Sequence, residues 1–151
     1  MKQRIKQAVD LFNEGYSCSQ AIVAAFADNF NLDRNTALKI ASGLGGGVGR
    51  TGDMCGAVTG AVLVLGLQFG TTDPKDKTAK FETYKKVQLF IQEFKQQAGS
   101  LICRELLGFD FNTPEGIIRS KQPGAFEHCP EFVQIAAQIL ESMLEQSKTD
   151  R

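Results

Sequence analysis

The chain has 151 residues, 17 basic and 17 acidic side chains, no net charge and 42% hydrophobic residues. That length suits one domain, which buries about two-thirds of its unfolded surface and so needs no disulfide staples to hold a core. Charges of both signs spread along the chain exclude a basic nucleic-acid stripe or a footprint for an anionic membrane, and neither partner is expected.

Met1-Lys2-Gln3-Arg4-Ile5-Lys6 places no uninterrupted apolar run behind its charges, so no signal peptide is read there. Ile5, Ala8, Val9 and Phe12 recur at helical spacing and predict a helix over Lys2–Asn13, with Gly15 able to stop it. Ser17 can cap a second helix through about Phe30, and Asp33 a third through about Ala41. Gly43–Gly52 is a glycine-rich loop. Asp53 then caps a helix through about Phe69, with Gly70 beyond it. Its apolar run, Ala57–Leu67, is too short to span a bilayer and is expected to be a buried helix.

Pro74 suits the first turn of a long helix to Ala98, with Phe81, Tyr84, Val87, Ile91, Phe94 and Ala98 as its inward stripe. Gly99 stops that helix, and Ser100 caps a short one, Leu101–Leu107. Residues Gly108–His128 break the periodicity, apart from a short helix at Pro114–Lys121. The last helix starts at Cys129-Pro130 and runs to about Gln146, and Lys148–Arg151 should fray. The expected fold is therefore all-α: a single-domain helical bundle over residues 1–151, with a glycine-rich loop before a buried central helix.

Cys18, Cys55, Cys103 and Cys129 each fall where a helix begins, on its apolar face. First-turn amides and the positive helix end favour a thiolate over a thiol. The separations are long and no Cys-x-x-Cys pair exists, against a zinc ribbon or a thioredoxin-type motif. The pattern fits one site assembled from four helix starts, with at least two sulfurs, Cys55 among them, expected within disulfide or common-ligand distance. Small buried core cysteines are the plain alternative. Cys55 is expected to be the most activated sulfur, because the glycine loop and a carboxylate-capped helix surround it.

Gly47-x-Gly49-x-x-Gly52 formally matches a dinucleotide fingerprint, but a helix precedes it where a strand is required. Arg50 also stands where a P-loop needs lysine. Backbone permissiveness is the better explanation: Gly47 and Gly49 let the chain pass close to a ligand or to other sulfurs, and Arg50 could pair with an anion there or equally be a solvated surface arginine. Gly56 leaves room beside Cys55, and with Gly60 it lets another helix approach, within the domain or across a homodimer. His128 precedes Cys129 and could ligate a metal or move protons, although a loop histidine is more often simply exposed.

Cys18, the block Cys55-Gly56-Ala57-Val58-Thr59-Gly60, Cys103 and Cys129 together resemble a bacterial and archaeal family of redox-active proteins named for its cysteine pattern. The order here is Cys-Gly-Ala, where the name gives Gly-Cys-Ala. The resemblance implies redox activity. Cys18, Cys55, Cys103 and Cys129 would then cycle through a disulfide or hold an iron–sulfur cluster, with no cofactor needed in the first case. A structural zinc site with the same four ligands is a second possibility, and a non-enzymatic helical interaction module with core cysteines a third. The redox partner is left open. A reducing, cytoplasmic setting is expected, where spaced cysteines seldom staple.

Overall fold

The computed structural model describes residues 2–149, and these form eight α-helices, one 3-10 turn and no strand. The helices are α1 (Gln3–Asn13), α2 (Cys18–Phe26), α3 (Arg34–Ser42), α4 (Gly56–Phe69), α5 (Lys77–Ala98), α6 (Cys103–Leu107), α7 (Pro114–Ser120) and α8 (Cys129–Thr149). None is long and apolar enough to cross a membrane. Lys148 and Thr149 continue α8, where fraying was expected; Asp150 and Arg151 lie outside the described residues, as does Met1.

Two helices form the centre. On α2 every residue from Ala21 to Phe26 is buried, as is Ser19. The helix is opened by a reciprocal cap: the Gln20 amide donates to the Ser17 hydroxyl, and the Ser17 amide donates to the Gln20 side chain. It tightens into a 3-10 turn over Ala27–Phe30, where the sequence suggested continuous helix, and Asn31 ends it in a left-handed conformation. The second is α4, whose small residues face α2. A Cβ on Gly60 would lie 3.0 Å from the Ser19 carbonyl oxygen, and one on Gly56 would lie 3.1 Å from the Ser19 amide nitrogen. The Gly56–Gly60 face is thus used within the domain. Ser19 is buried, and its hydroxyl donates to the Ala41 carbonyl at 2.8 Å, tying α2 to α3. Helices α1, α5 and α8 close the core with Leu11, Phe90, Phe94, Val133 and Leu140.

Three predicted helix starts move. Asp53 does not cap α4; Cys55 holds the N-cap position instead. The reason is a single antiparallel bridge between Met54 and Ile102, which keeps the chain extended to Met54 and delays the helix. The same bridge delays α6 to Cys103, with Ile102 at its N-cap; Ser100 still receives the Ile102 amide at 3.0 Å. Pro74 lies in the turn before α5, and Asp76 caps that helix by accepting from the Ala79 amide at 3.0 Å. The start of α5 also overshoots the core: Phe81 and Tyr84, placed inward by periodicity, are 64% and 50% exposed.

Candidate functional site

The four cysteines are all free and all line one cavity of about 650 Å³. Each arrives on a different helix start. Cys18 opens α2 directly after its Ser17 cap, Cys103 opens α6 and Cys129 opens α8. The bridge sets Cys55 and Cys103 on neighbouring strands of chain: the Cys55 amide donates to the Leu101 carbonyl at 2.8 Å, and the Cys103 amide to the Asp53 carbonyl at 2.6 Å. Cys55, Cys103 and Cys129 are buried and Cys18 is half-buried. The four helix starts thus bring their cysteines to the wall of one cavity. Among the described residues, no three His, Cys, Asp or Glu side chains are gathered as a metal-binding group.

The glycine loop forms one wall. Gly46, Gly47, Val48, Gly49 and Arg50 are five consecutive residues with φ between 62° and 71°, a left-handed turn of backbone. Glycine is required at Gly47: a Cβ there would lie 2.6 Å from the Cys103 Cβ and 2.7 Å from the Asp53 amide nitrogen. Gly56 is packed similarly, with the Cys18 Cβ 3.3 Å from where its own would stand. Gly47 and Gly56 thus act by letting backbone pass close to cysteines. Gly49 and Arg50 lie at the exposed side of the cavity. The Arg50 guanidinium sits 4.8 Å from the centre of the Phe111 ring, a cation–π contact.

Burial dominates the acidity of two thiols. It pushes Cys55 up to about 11, against the first-turn amides of Ala57 and Val58, which pull it down. It pushes Cys103 up to about 12, helped by the neighbouring Cys55 and Cys129 and opposed by Arg50. Cys18 and Cys129 behave as a pair. Hydrogen bonding between the two would favour the proton on Cys18: with burial and the other sulfurs it holds Cys18 well above the ordinary thiol range, and it lowers Cys129 against the opposing effect of burial. The expectation that Cys55 is the most activated sulfur is corrected: the helix-start amides are present there, but desolvation outweighs them.

His128 is exposed beside Cys129, with its Nε2 3.5 Å from the Glu127 carboxylate, and it does not line the cavity. Sequence reasoning missed the opposite wall. Phe111, Phe126 and Phe132 line it, and Phe111 stacks on Phe126 at 6.2 Å while Phe109 meets both edge-on. The signal was available in Phe109, Phe111 and Phe126, three aromatics inside an aperiodic segment that must bury somewhere.

A protein of Archaeoglobus fulgidus, itself described only as an uncharacterized protein, is 25% identical over 153 residues, covering 95% of each chain. No solved structure matches the chain. The cysteines that the geometry brings to one cavity all fall within residues 16–143, the span matched by the family model described as "Putative redox-active protein (C_GCAxxG_C_C)", and the chain belongs to that family.

Proposed function

We propose that the chain is a thiol–disulfide redox protein in which Cys129 is the attacking thiolate and Cys18 the resolving thiol. What supports this is that both thiols stand at helix starts lining one cavity and shift each other in opposite directions, Cys129 down and Cys18 up. A donated proton lets Cys129 hold negative charge near neutrality, and the thiolate is the reactive form. When the pair is oxidised, both S–H bonds are lost, one S–S bond forms, and two electrons and two protons leave for an acceptor disulfide. A reducing compartment such as the cytoplasm keeps such a pair in its dithiol form.

The test is to expose the fully reduced protein to one equivalent of dithiodipyridine, a neutral aromatic disulfide, and map the bonds by mass spectrometry. A Cys18–Cys129 disulfide is the expected product. A stable adduct on Cys129 that Cys18 never resolves, or a bond joining a different pair, sinks this assignment.

A second reading is favoured by one further observation: Cys55 and Cys103 line the same cavity, though neither thiol ionises readily by itself. Cys18, Cys55, Cys103 and Cys129 would then hold an iron–sulfur cluster, whose iron would supply the positive charge that a buried thiolate needs, but no three of them are gathered as ligands as they stand, so the sulfurs would have to draw together. Protein purified without oxygen decides between the two. Iron with acid-labile sulfide in matching amounts supports the cluster. Zinc alone would support the structural-metal alternative, and four titratable thiols with no metal support the dithiol.

A further inference from the structure

Among the described residues lining the cavity, Arg50 is the one charged side chain; no Asp, Glu, Lys or His joins it. Arg50 is exposed and makes no ion pair among the described residues. A cation without a carboxylate partner therefore stands at the solvent-facing side of the cavity. Deeper in, the lining is apolar and sulfur-rich, with buried Phe111 and Phe132.

The loop adds donors beside that cation. The amides of Gly45, Gly46, Gly47 and Gly49 find no acceptor among the described residues, and all four glycines line the cavity. Successive backbone amides without partners form anion-binding concavities. The volume of about 650 Å³ lies within the range typical of small-molecule sites.

We infer that the cavity takes a small organic disulfide with an aromatic or otherwise apolar body and an anionic group. The anion rests on Arg50 and the loop amides, and the apolar body lies against Phe111 and Phe132. This rests on the dithiol assignment and adds the substrate class. The Cys129 thiolate attacks one sulfur of the bound disulfide and breaks its S–S bond. One half leaves as a thiolate, and the other stays bonded to Cys129. Cys18 releases its proton to water, attacks the Cys129 sulfur and frees the second half. Two electrons pass from the protein to the substrate, which ends as two thiols, and the protein ends with one disulfide.

Two probes test the charge requirement: dithiobis-nitrobenzoate, a dianionic aromatic disulfide, and dithiodipyridine, a neutral one. Both release coloured thiols, so stopped-flow absorbance gives a rate constant for each. Each rate is divided by that of free cysteine at the same pH. The normalised preference for the anionic probe should be about tenfold, at the low end of electrostatic steering, and should shrink as salt is raised. Arg50→Asn removes the cation, while asparagine tolerates the left-handed backbone. It should bring the ratio to near one, and Arg50→Lys should keep most of it. A ratio near one in the unaltered protein, or one that Arg50→Asn leaves in place, overturns the inference. The two assignments fail separately: if neither probe yields the Cys18–Cys129 disulfide, the dithiol assignment falls, whereas that disulfide formed without anionic preference removes only the substrate class.

Discussion

Four thiols around one apolar cavity compete for a single place where negative charge is tolerated. Hydrogen bonding settles the competition in favour of Cys129, since a bond donated to a charged group is worth about 1.5–3 kcal/mol. Alkylation of the reduced, metal-free protein near pH 7 should therefore modify Cys129 first. Cys18→Ala should slow that step by about tenfold, because losing a bond worth about 1.5 kcal/mol or more to the charged form makes Cys129 harder to ionise. Site-resolved mass spectrometry against pH measures it, and equal rates at all four cysteines would refute the ranking. Cys55 and Cys103 carry the opposite consequence. Their values in the folded chain, about 11 and about 12, lie above the ordinary 9.0, so folding favours their protonated forms. The stability this contributes is complete below pH 9 and is lost as pH rises through the folded-state values. Denaturant titrations between pH 8 and 11 should show a falling limb to which each thiol contributes about 2 kcal/mol, so Cys55→Ser should remove about half of it and leave the Cys103 share; an unchanged limb in the variant would place the loss elsewhere. The position of these sulfurs was legible in the sequence, because Ser17-Cys18 and Cys129-Pro130 are helix-start signals. Their ranking was not, because it depends on which sulfur touches which across elements far apart in the chain.

The element that shapes the site most strongly is the left-handed loop between α3 and α4. Val48 is a β-branched residue at φ 67° and is 41% exposed, so it carries backbone strain with little packing to offset it. Val48→Gly should stabilise the fold by about 1 kcal/mol, the order of the left-handed penalty less the entropy of glycine. Gly47→Ala should do the reverse: the new Cβ would meet backbone of Asp53 at 2.7 Å as well as the Cys103 Cβ, and neither can yield without moving the bridge. A loss of about 3 kcal/mol or outright failure to fold is expected, read by thermal melting. The glycine run announced a permissive loop, and Gly56 and Gly60 announced a close helix contact; both are found. The Met54–Ile102 bridge was not foreseeable, because one extended pair leaves no alternating pattern. It displaced Asp53 from its predicted cap and left that carboxylate to pair with Arg104 at 3.0 Å. The aromatic wall was hidden for a related reason, since Phe111 and Phe126 are joined by tertiary packing and not by any local period.

At the scale of the whole molecule, Cys18 and Cys129 lie near opposite ends of the chain, and the bundle brings the starts of α2 and α8 together. A bond between them would close a loop of about a hundred residues. In the chain-entropy account, closing such a loop removes about 4–5 kcal/mol of freedom from the unfolded state. The folded side needs no new element to form it, because both sulfurs already face one cavity. Oxidation should then raise stability by several kcal/mol, less whatever distortion the bond introduces. Guanidinium titrations of the reduced and oxidised protein provide the measurement, with Cys18→Ser as the control that cannot form the bond. The oxidised protein should unfold at clearly higher denaturant, and the control should respond little to the oxidant. Equal midpoints would mean that native-state strain cancels the entropy gain. A lower midpoint on oxidation would mean that the two helix starts must separate to form the bond, and the resolving role would then pass from Cys18 to another of the cavity's thiols.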